Sequence, residues 1–496
     1  MKDMYTVFPE EEEKHSKGLT VLSTTIFIVG EMAGTGVVTM PGAIKNTGWY
    51  GAIVLAVGAV ASGITGVQLG YCWDLLQEMW PEYRRQTRKP YQEMGKRVGG
   101  KSLSIFVSVC ILITLAGSTV ALMLLASQEI GTILHYYDIH FSGCYIVLIY
   151  FAVLLPLTWF GTPADFWWVA YVAMGSSLSS AVLVIVGSAL DNPYDGDFLD
   201  NGTNVTTSSL SPELATHSSP SFKSFILGYG TIAFAYGGHG GFPTMQHDMK
   251  HPNRFWKSVL FAYIIIVCLY TVDGFTGYTI YGDYLVGDFN ANITGIITRA
   301  PIRIIISVLM TANVLSCSVI LMNPVNQEIE QLTKAPTGFG ILRVLSRTLT
   351  LTLILFIAES VPQFGVILSL IGSSTITLLT YVFPGLFHLS LKKQRQDVHR
   401  RQRESTQSDS ISVYGSWQES QHPELAAAAR SKRISEAKLS PSSLEEEAKV
   451  TTLWEWVGNV LVIFSGLLAA GCGTYAAVDT LINNLQFNPP CYLQKL

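Results

Sequence analysis

The chain has 496 residues, 49% of them hydrophobic and 14% charged, where an ordinary globular protein carries roughly a quarter charged. With a mean hydropathy of +0.34 and a net charge of −4, it has neither the polar surface of a soluble multidomain chain nor the basic face of a nucleic-acid binder. Its seven cysteines show no C-x-x-C or other metal spacing, which indicates neither a disulfide scaffold nor a zinc site.

A membrane-crossing helix needs about 20 predominantly apolar residues, because the bilayer interior offers no water to a broken backbone. Eleven segments reach that length within a few residues: 19–44, 50–79, 102–134, 142–160, 165–190, 222–245, 258–281, 301–328, 342–360, 363–390 and 452–482. The first is flanked by the acidic run Glu10 to Glu13 and no small-residue cleavage site follows, so it reads as a retained helix and not a cleaved signal. Between the fifth and sixth spans, residues 191–221 are rich in Asp, Asn, Ser, Thr and Pro and read as an exposed loop. Residues 391–451, charged and Ser-rich, read as a largely disordered linker. Within that linker Lys432-Arg433-Ile434-Ser435 resembles a substrate of a basophilic kinase, although a merely solvated linker is the simpler reading.

Positive residues orient the chain. With the N-terminus in the cytosol, 27 of the 32 Lys and Arg fall on the cytosolic side, in the tail, 80–101, 246–257, 330–347 and 391–450, as the positive-inside rule requires. The sequons beginning at Asn201, Asn204 and Asn292 all fall on the opposite face, where glycosylation takes place.

Two spans violate helix chemistry. Gly30-Glu31-Met32-Ala33-Gly34-Thr35-Gly36, followed by Pro41 and Gly42, weakens the first; Gly237-Gly238-His239-Gly240-Gly241, followed by Pro243, weakens the sixth. Interrupted helices five spans apart point to an inverted-repeat transporter with its site at the breaks. The simpler alternative is that glycines merely allow close packing, which suits isolated ones such as Gly58 and Gly63. If the helices unwind, Gly34, Thr35 and Gly36 offer backbone donors and a hydroxyl to a substrate carboxylate. Carbonyls near Gly237, Gly238 and His239 then accept from an ammonium. An amino-acid zwitterion needs both, because neither charge tolerates an unpaired place in a low-dielectric cavity.

These runs carry a resemblance. GTGVVTMPGAIKNTGWYGA in the first span resembles the opening signature of the amino acid/auxin permease family. FAYGGHGGFPTMQHDMKHPNRF in the sixth and SLIGSSTITLLTYVFPGLFHL in the tenth are similar to the family's pattern, as is Asn323-Pro324 with Glu328-Ile329-Glu330. The similarity covers about residues 19–390. It implies an all-α polytopic membrane protein of eleven helices, a five-plus-five inverted repeat with helices 1 and 6 discontinuous, and secondary transport of amino acids. On that reading the chain divides into a cytosolic tail (1–18), a first repeat (19–190), a glycosylated loop (191–221), a second repeat (222–390), the linker (391–451), an eleventh helix (452–482) and a tail opposite the cytosol (483–496). One departure bears on coupling. Sodium-coupled relatives commonly carry an Asn about four residues before the first Gly-x-Gly, whereas this chain reads Gly30-Glu31-Met32-Ala33. That shifts the expectation toward a proton, although a sodium site of main-chain carbonyls would leave no trace in sequence.

A charge in the bilayer core costs about 2.5–3.5 kcal/mol, so intramembrane ionisable groups need a reason. Glu31 and His239, each at a break, are the candidate proton carriers; the alternatives are a carboxylate capping backbone donors and a histidine hydrogen-bonded between helices. Asp273 and Glu129 read as groups of an outer vestibule or the interface, Asp74 and Glu78 as ordinary cytosolic-end residues. Trp159, Phe160, Phe166, Trp167 and Trp168 read as an interfacial belt. The expected function is proton-coupled symport or exchange of small neutral amino acids, with the bilayer as surroundings, no cofactor and no enzymatic motif. A vesicular loader of inhibitory amino-acid transmitters is a second reading, which the 18-residue tail opposes. An amino-acid sensor with little flux is a third. Tyr5-Thr6-Val7-Phe8 resembles a tyrosine-based sorting signal, which leaves plasma membrane and lysosome-like membranes both open.

Overall fold

The computed structural model describes residues 18–84, 87, 89–159, 167–191, 216–285, 292–333, 340–418 and 453–484. These are helical apart from short connections and a single backbone bridge between Leu19 and Met249. In chain order the helices are α1 Val21–Thr47, α2 Gly51–Met79, α3 Pro90–Tyr136, α4 Gly143–Trp159, α5 Trp167–Leu190, α6 Phe222–Ala235, α7 Phe242–His247, α8 Phe255–Tyr281, α9 Ala300–Leu332, α10 Ile341–Ser360, α11 Phe364–Ile371, α12 Phe383–Gln418 and α13 Leu453–Asn484. Among the described residues, eight stretches are long and apolar enough to cross a membrane; the first, Val21–Met79, contains both α1 and α2. Gly143–Trp159 and Phe222–Ala235 are apolar but shorter. This is an integral membrane protein.

The first span departs from expectation. Helix α1 runs unbroken through Gly30, Gly34, Gly36 and Pro41. Thr20 starts it with a reciprocal capping box to Ser23, and its flanks are buried against α5, α6 and α8. Glycine lowers intrinsic helix propensity by about 1 kcal/mol per residue, which tertiary packing overrides here. A Cβ on Gly34 would collide with Asn313 of α9, and one on Gly36 with the Tyr270 hydroxyl of α8. These glycines admit neighbouring side chains to the helix surface, as the simpler reading held.

The sixth span does break. Helix α6 ends at Ala235 and α7 begins at Phe242, with non-helical chain between. The tenth span is irregular in another way, passing through two π-helical turns, Gly372–Ile376 and Leu378–Val382, between α11 and α12. Here a Cβ on Gly372 would strike the Gly230 carbonyl of α6, so glycine lets the sixth and tenth spans touch backbone to backbone. In α3 the chain kinks at Gly99 and Gly100, and Gly100 takes φ 70°, where only glycine is unstrained. The kink divides the amphipathic start of α3 from its membrane part.

The packing repeats with a period of five spans. The first span packs on the seventh, and the sixth on the second; the eighth packs on the fifth, and the third on the tenth. Likewise the first packs on the fifth and the sixth on the tenth, while the second packs on the tenth and the seventh on the fifth. The pairs one–six, two–seven, three–eight and four–nine are each their own counterpart.

Two features add to the sequence reading. The start of the linker is helical, because α12 continues to Gln418; Arg395 of this extension pairs with Glu78 at 2.9 Å and Lys392 with Glu455 at 2.7 Å. A disulfide is present: Cys144, at the start of α4, is bonded, while Cys72, Cys110, Cys268, Cys317 and Cys472 are free. A lone bridge leaves no spacing pattern to read.

Candidate functional site

The segment between α6 and α7 exposes backbone. Tyr236 N–H donates to Ile232 O at 3.2 Å and Gly237 N–H to Phe234 O at 2.9 Å, which closes α6. Gly241 and Phe242 N–H donate to Gly238 O and His239 O at 3.1 and 3.3 Å, which opens α7. Among the described residues no hydrogen bond uses the N–H of Gly238, His239 or Gly240, or the carbonyls of Tyr236, Gly237 or Gly240. Buried backbone groups are nearly always paired, so the free ones at the buried Tyr236, Gly238 and His239 mark a place where water or a ligand supplies the partners.

Helix α1 borders this segment through Glu31 and Met32. A Cβ on Gly241 would lie 3.4 Å from Glu31 Oε2, and one on Gly238 would lie 3.1 Å from Met32 Cγ. Glu31 Oε2 is buried and makes no hydrogen bond. Gly240 is exposed and nothing lies within 4 Å of the Cβ it lacks, so open space borders the break at that residue. Two backbone bonds, Leu19 N–H to Asp248 O at 2.8 Å and Lys250 N–H to Leu19 O at 2.9 Å, fasten the start of α1 to the chain after α7. Gln246 Nε2 ties α7 to Asp74 of α2 at 2.8 Å.

The other expected site residues lie elsewhere. His239 is 1% exposed, with Nε2 3.0 Å from the Ser62 carbonyl and 3.2 Å from Thr65 Oγ1. A carbonyl only accepts, so Nε2 carries the proton; Nδ1 is buried without a partner. The ring therefore bridges helices, and it is the backbone of His239 that faces the break. Gly34 and Gly36 turn toward Asn313 and Tyr270. The Thr35 carbonyl accepts from Thr39 Oγ1 at 2.9 Å, and with α1 helical its neighbours present no free backbone donors. A Cβ on Gly237 would lie 2.6 Å from Ile376 Cγ2.

Sequence reasoning passed over Tyr270 and Asn313. The Tyr270 hydroxyl lies 2.6 Å from Met32 O and 3.2 Å from Ala235 O, and so joins α1 to the end of α6. Asn313 donates to Ala173 O at 2.7 Å and Ser177 Oγ at 2.8 Å. A polar side chain in mid-span was the available signal for Asn313; nothing local marks Tyr270.

Of the remaining expectations, Asp273 is 1% exposed with both carboxylate oxygens unpartnered, so it does not reach the interface. Glu129 is fully buried and accepts from Asn292 Nδ2 at 2.7 Å. This bond corrects the third glycosylation site: Asn292 is buried and the nitrogen a glycan would occupy is engaged. Trp159 donates from Nε1 to Thr348 Oγ1 at 3.1 Å. Asn201, Asn204, the Tyr5–Phe8 segment, Lys432–Ser435 and Phe160 and Phe166 lie outside the described residues.

The described residues form a helical membrane protein with free backbone donors and acceptors at a break in the sixth span, and comparison with known proteins gives its family. The family model described as transmembrane amino acid transporter protein matches residues 17–414. The chain belongs to that family, which bears out the resemblance read in its sequence. It is similar to the amino acid transporters AVT1B and AVT1H of Arabidopsis thaliana. AVT1B is 22% identical over 74% of this chain and 64% of its own length; AVT1H is 24% identical over 76% and 83%. The chain thus spans slightly less than two thirds of AVT1B. Among solved structures, a Na+-coupled sialic acid symporter in its substrate-bound outward-open state aligns with TM-score 0.41 and 13% identity over 75% of this chain and 84% of its own. A manganese transporter of Eremococcus coleocola bound to an aromatic bis-isothiourea compound aligns with TM-score 0.42 and 11% identity over 96% of each chain. Likeness at these values adds nothing to the fold described above.

Proposed function

We propose that this protein is a secondary active transporter of small neutral amino acids, driven by protons, with its substrate held at the break in the sixth span. The observation that carries the reading is the set of unpaired donors and acceptors from Tyr236 to Gly240 beside the unpartnered carboxylate oxygen of Glu31. The N–H groups of Gly238, His239 and Gly240 suit the substrate carboxylate, and the free carbonyls suit its ammonium. Glycines at these positions let a ligand meet the backbone directly. Glu31 then serves as the proton carrier. The family and the relatives named above support amino acids as cargo.

The five-span exchange in packing supports a five-plus-five inverted repeat of ten spans with α13 as an eleventh. The first span is a continuous helix whereas the sixth breaks, so substrate contacts come from the sixth-span break and not from a matching one in the first. The bias of Lys and Arg places the N-terminus and residues 391–450 in the cytosol. The Cys144 disulfide supports this, since it falls on the opposite, oxidising side. Protease added to the cytosolic face of sealed vesicles should cut within 419–450, and glycosidase should act on chains attached at Asn201 or Asn204. A linker protected from that protease reverses the orientation.

Substrate class is tested by ligand-induced thermal stabilisation of the purified protein. Small neutral amino acids should raise the unfolding midpoint in a saturable way, while their amides and decarboxylated amines should not. Equal stabilisation by an amine lacking the carboxylate would remove the assigned role of the N–H groups.

A further inference from the structure

Tyr270 of α8 is fully buried, and its hydroxyl stands between two carbonyls that belong to different helices. One is Met32 O of α1 at 2.6 Å, the other Ala235 O at the end of α6 at 3.2 Å. A phenol has one proton, so at any moment it donates fully to one of them. The two acceptors need it unequally. Met32 O lies in unbroken α1 and keeps the helical donor four residues on, the Gly36 N–H. Ala235 O would take its helical bond from the His239 N–H, but the chain has left the helix before that residue. Among the described residues Tyr270 is the sole donor to the Ala235 carbonyl. The shorter bond thus goes to the carbonyl that needs it less. Gly36 makes this approach possible, because a Cβ there would meet the hydroxyl. Titratable groups on the surrounding elements do not share the bond. Tyr236 donates instead to Leu55 O at 3.2 Å, and Tyr263 Oη, both Asp273 oxygens and Glu31 Oε2 take part in no hydrogen bond.

We propose that Tyr270 is a positioning residue whose hydroxyl links the charge on Glu31 to the shape of the substrate site, by shifting between Met32 O and Ala235 O. This role rests on those proposed above for Glu31 and the break. Glu31 immediately precedes Met32, so gain or loss of its proton alters the field at the Met32 carbonyl. A negative charge on Glu31 draws the hydroxyl proton toward Met32 O. Neutralising that charge releases the hydroxyl to Ala235 O, the carbonyl with no other donor, and so fixes the end of α6. Gly238, whose free N–H suits the substrate, lies three residues beyond Ala235. Loading a proton therefore prepares the break for its ligand. The tyrosine proton never leaves its oxygen; only the direction of donation changes. Two discrete arrangements of one buried group, each favoured by a different site, are what physical coupling requires.

The test is a double-mutant cycle on the dissociation constant of the purified full-length protein, at mildly alkaline pH, which favours the ionised carboxylate. The probe is whichever of glycine, L-alanine, L-serine and L-proline stabilises the wild type most against heat. Glu31→Gln, permanently neutral, should tighten binding about fivefold or more in the wild-type background. In the Tyr270→Phe background the same change should alter binding by about twofold or less. A second substitution, Tyr270→4-aminophenylalanine, separates linkage from mere packing. Its amine has two protons and satisfies both carbonyls at once, so the fold is kept while the choice between them is lost. Here too Glu31→Gln should have little effect, and this variant carries the comparison should Tyr270→Phe fail to fold. If Glu31→Gln tightens binding equally in all three backgrounds, Tyr270 only packs, and the proposal is overturned with the substrate site left standing. If Glu31→Gln has no effect in any background, or none of the four amino acids binds, the roles proposed for Glu31 and the break fail, and this one with them.

Discussion

Gly240→Val is expected to leave the protein folded and to abolish amino-acid uptake. Gly240 is exposed, has no positive φ and has no atom within 4 Å of its missing Cβ, so the fold can accept a side chain there. The same side chain occupies the space beside the free backbone groups, where the ligand must come within hydrogen-bond distance. Losing two or three such bonds to a charged ligand, at about 1.5–3 kcal/mol each, lowers affinity by more than a hundredfold. Uptake and the unfolding midpoint measured on one preparation separate the two effects. Gly36→Val is the contrasting case: its Cβ collides with the Tyr270 hydroxyl that joins α1 to α6, so this variant should lose stability along with uptake. If Gly240→Val transports with unchanged apparent affinity, the break does not hold the substrate.

Glu31→Gln is expected to lose pH-driven accumulation while keeping substrate binding and exchange. The amide preserves shape and hydrogen bonding but cannot titrate. Glu31 Oε2 has no hydrogen bond and the carboxylate has no salt bridge among the described residues, so a proton is the simplest species to neutralise it. The accumulation ratio should fall from the value set by the pH gradient to about one, since a carrier that cannot load the proton only equilibrates its substrate. Counterflow of labelled amino acid should persist. Full accumulation by this variant would move the proton to another group, His239 with its unpartnered Nδ1 first among them.

The membrane helices were legible because bilayer thickness acts locally: a run of apolar residues of the right length announces itself without knowledge of its neighbours. The sixth-span break was legible for a related reason, since four glycines in the five residues Gly237–Gly241 leave little side-chain surface to hold a helix together. The first span was misread because its continuity depends on Tyr270 and Asn313, more than two hundred residues away in sequence. A Gly-x-Gly run is compatible with unwinding and with close packing, and only the neighbours decide. The sequon at Asn292 failed for the same reason. Its tripeptide is correct for glycosylation, yet a buried glutamate 163 residues earlier takes the amide. Candidate site residues that depend on long-range contacts are the ones sequence could not assign.

The measurement that bears most directly on the account is accumulation of radiolabelled small neutral amino acids in proteoliposomes under an imposed pH gradient with sodium absent. Accumulation above equilibrium that a protonophore collapses, in wild type and not in Glu31→Gln, is the predicted result. Accumulation only when a sodium gradient is supplied, or none for any amino acid under either gradient, would contradict it.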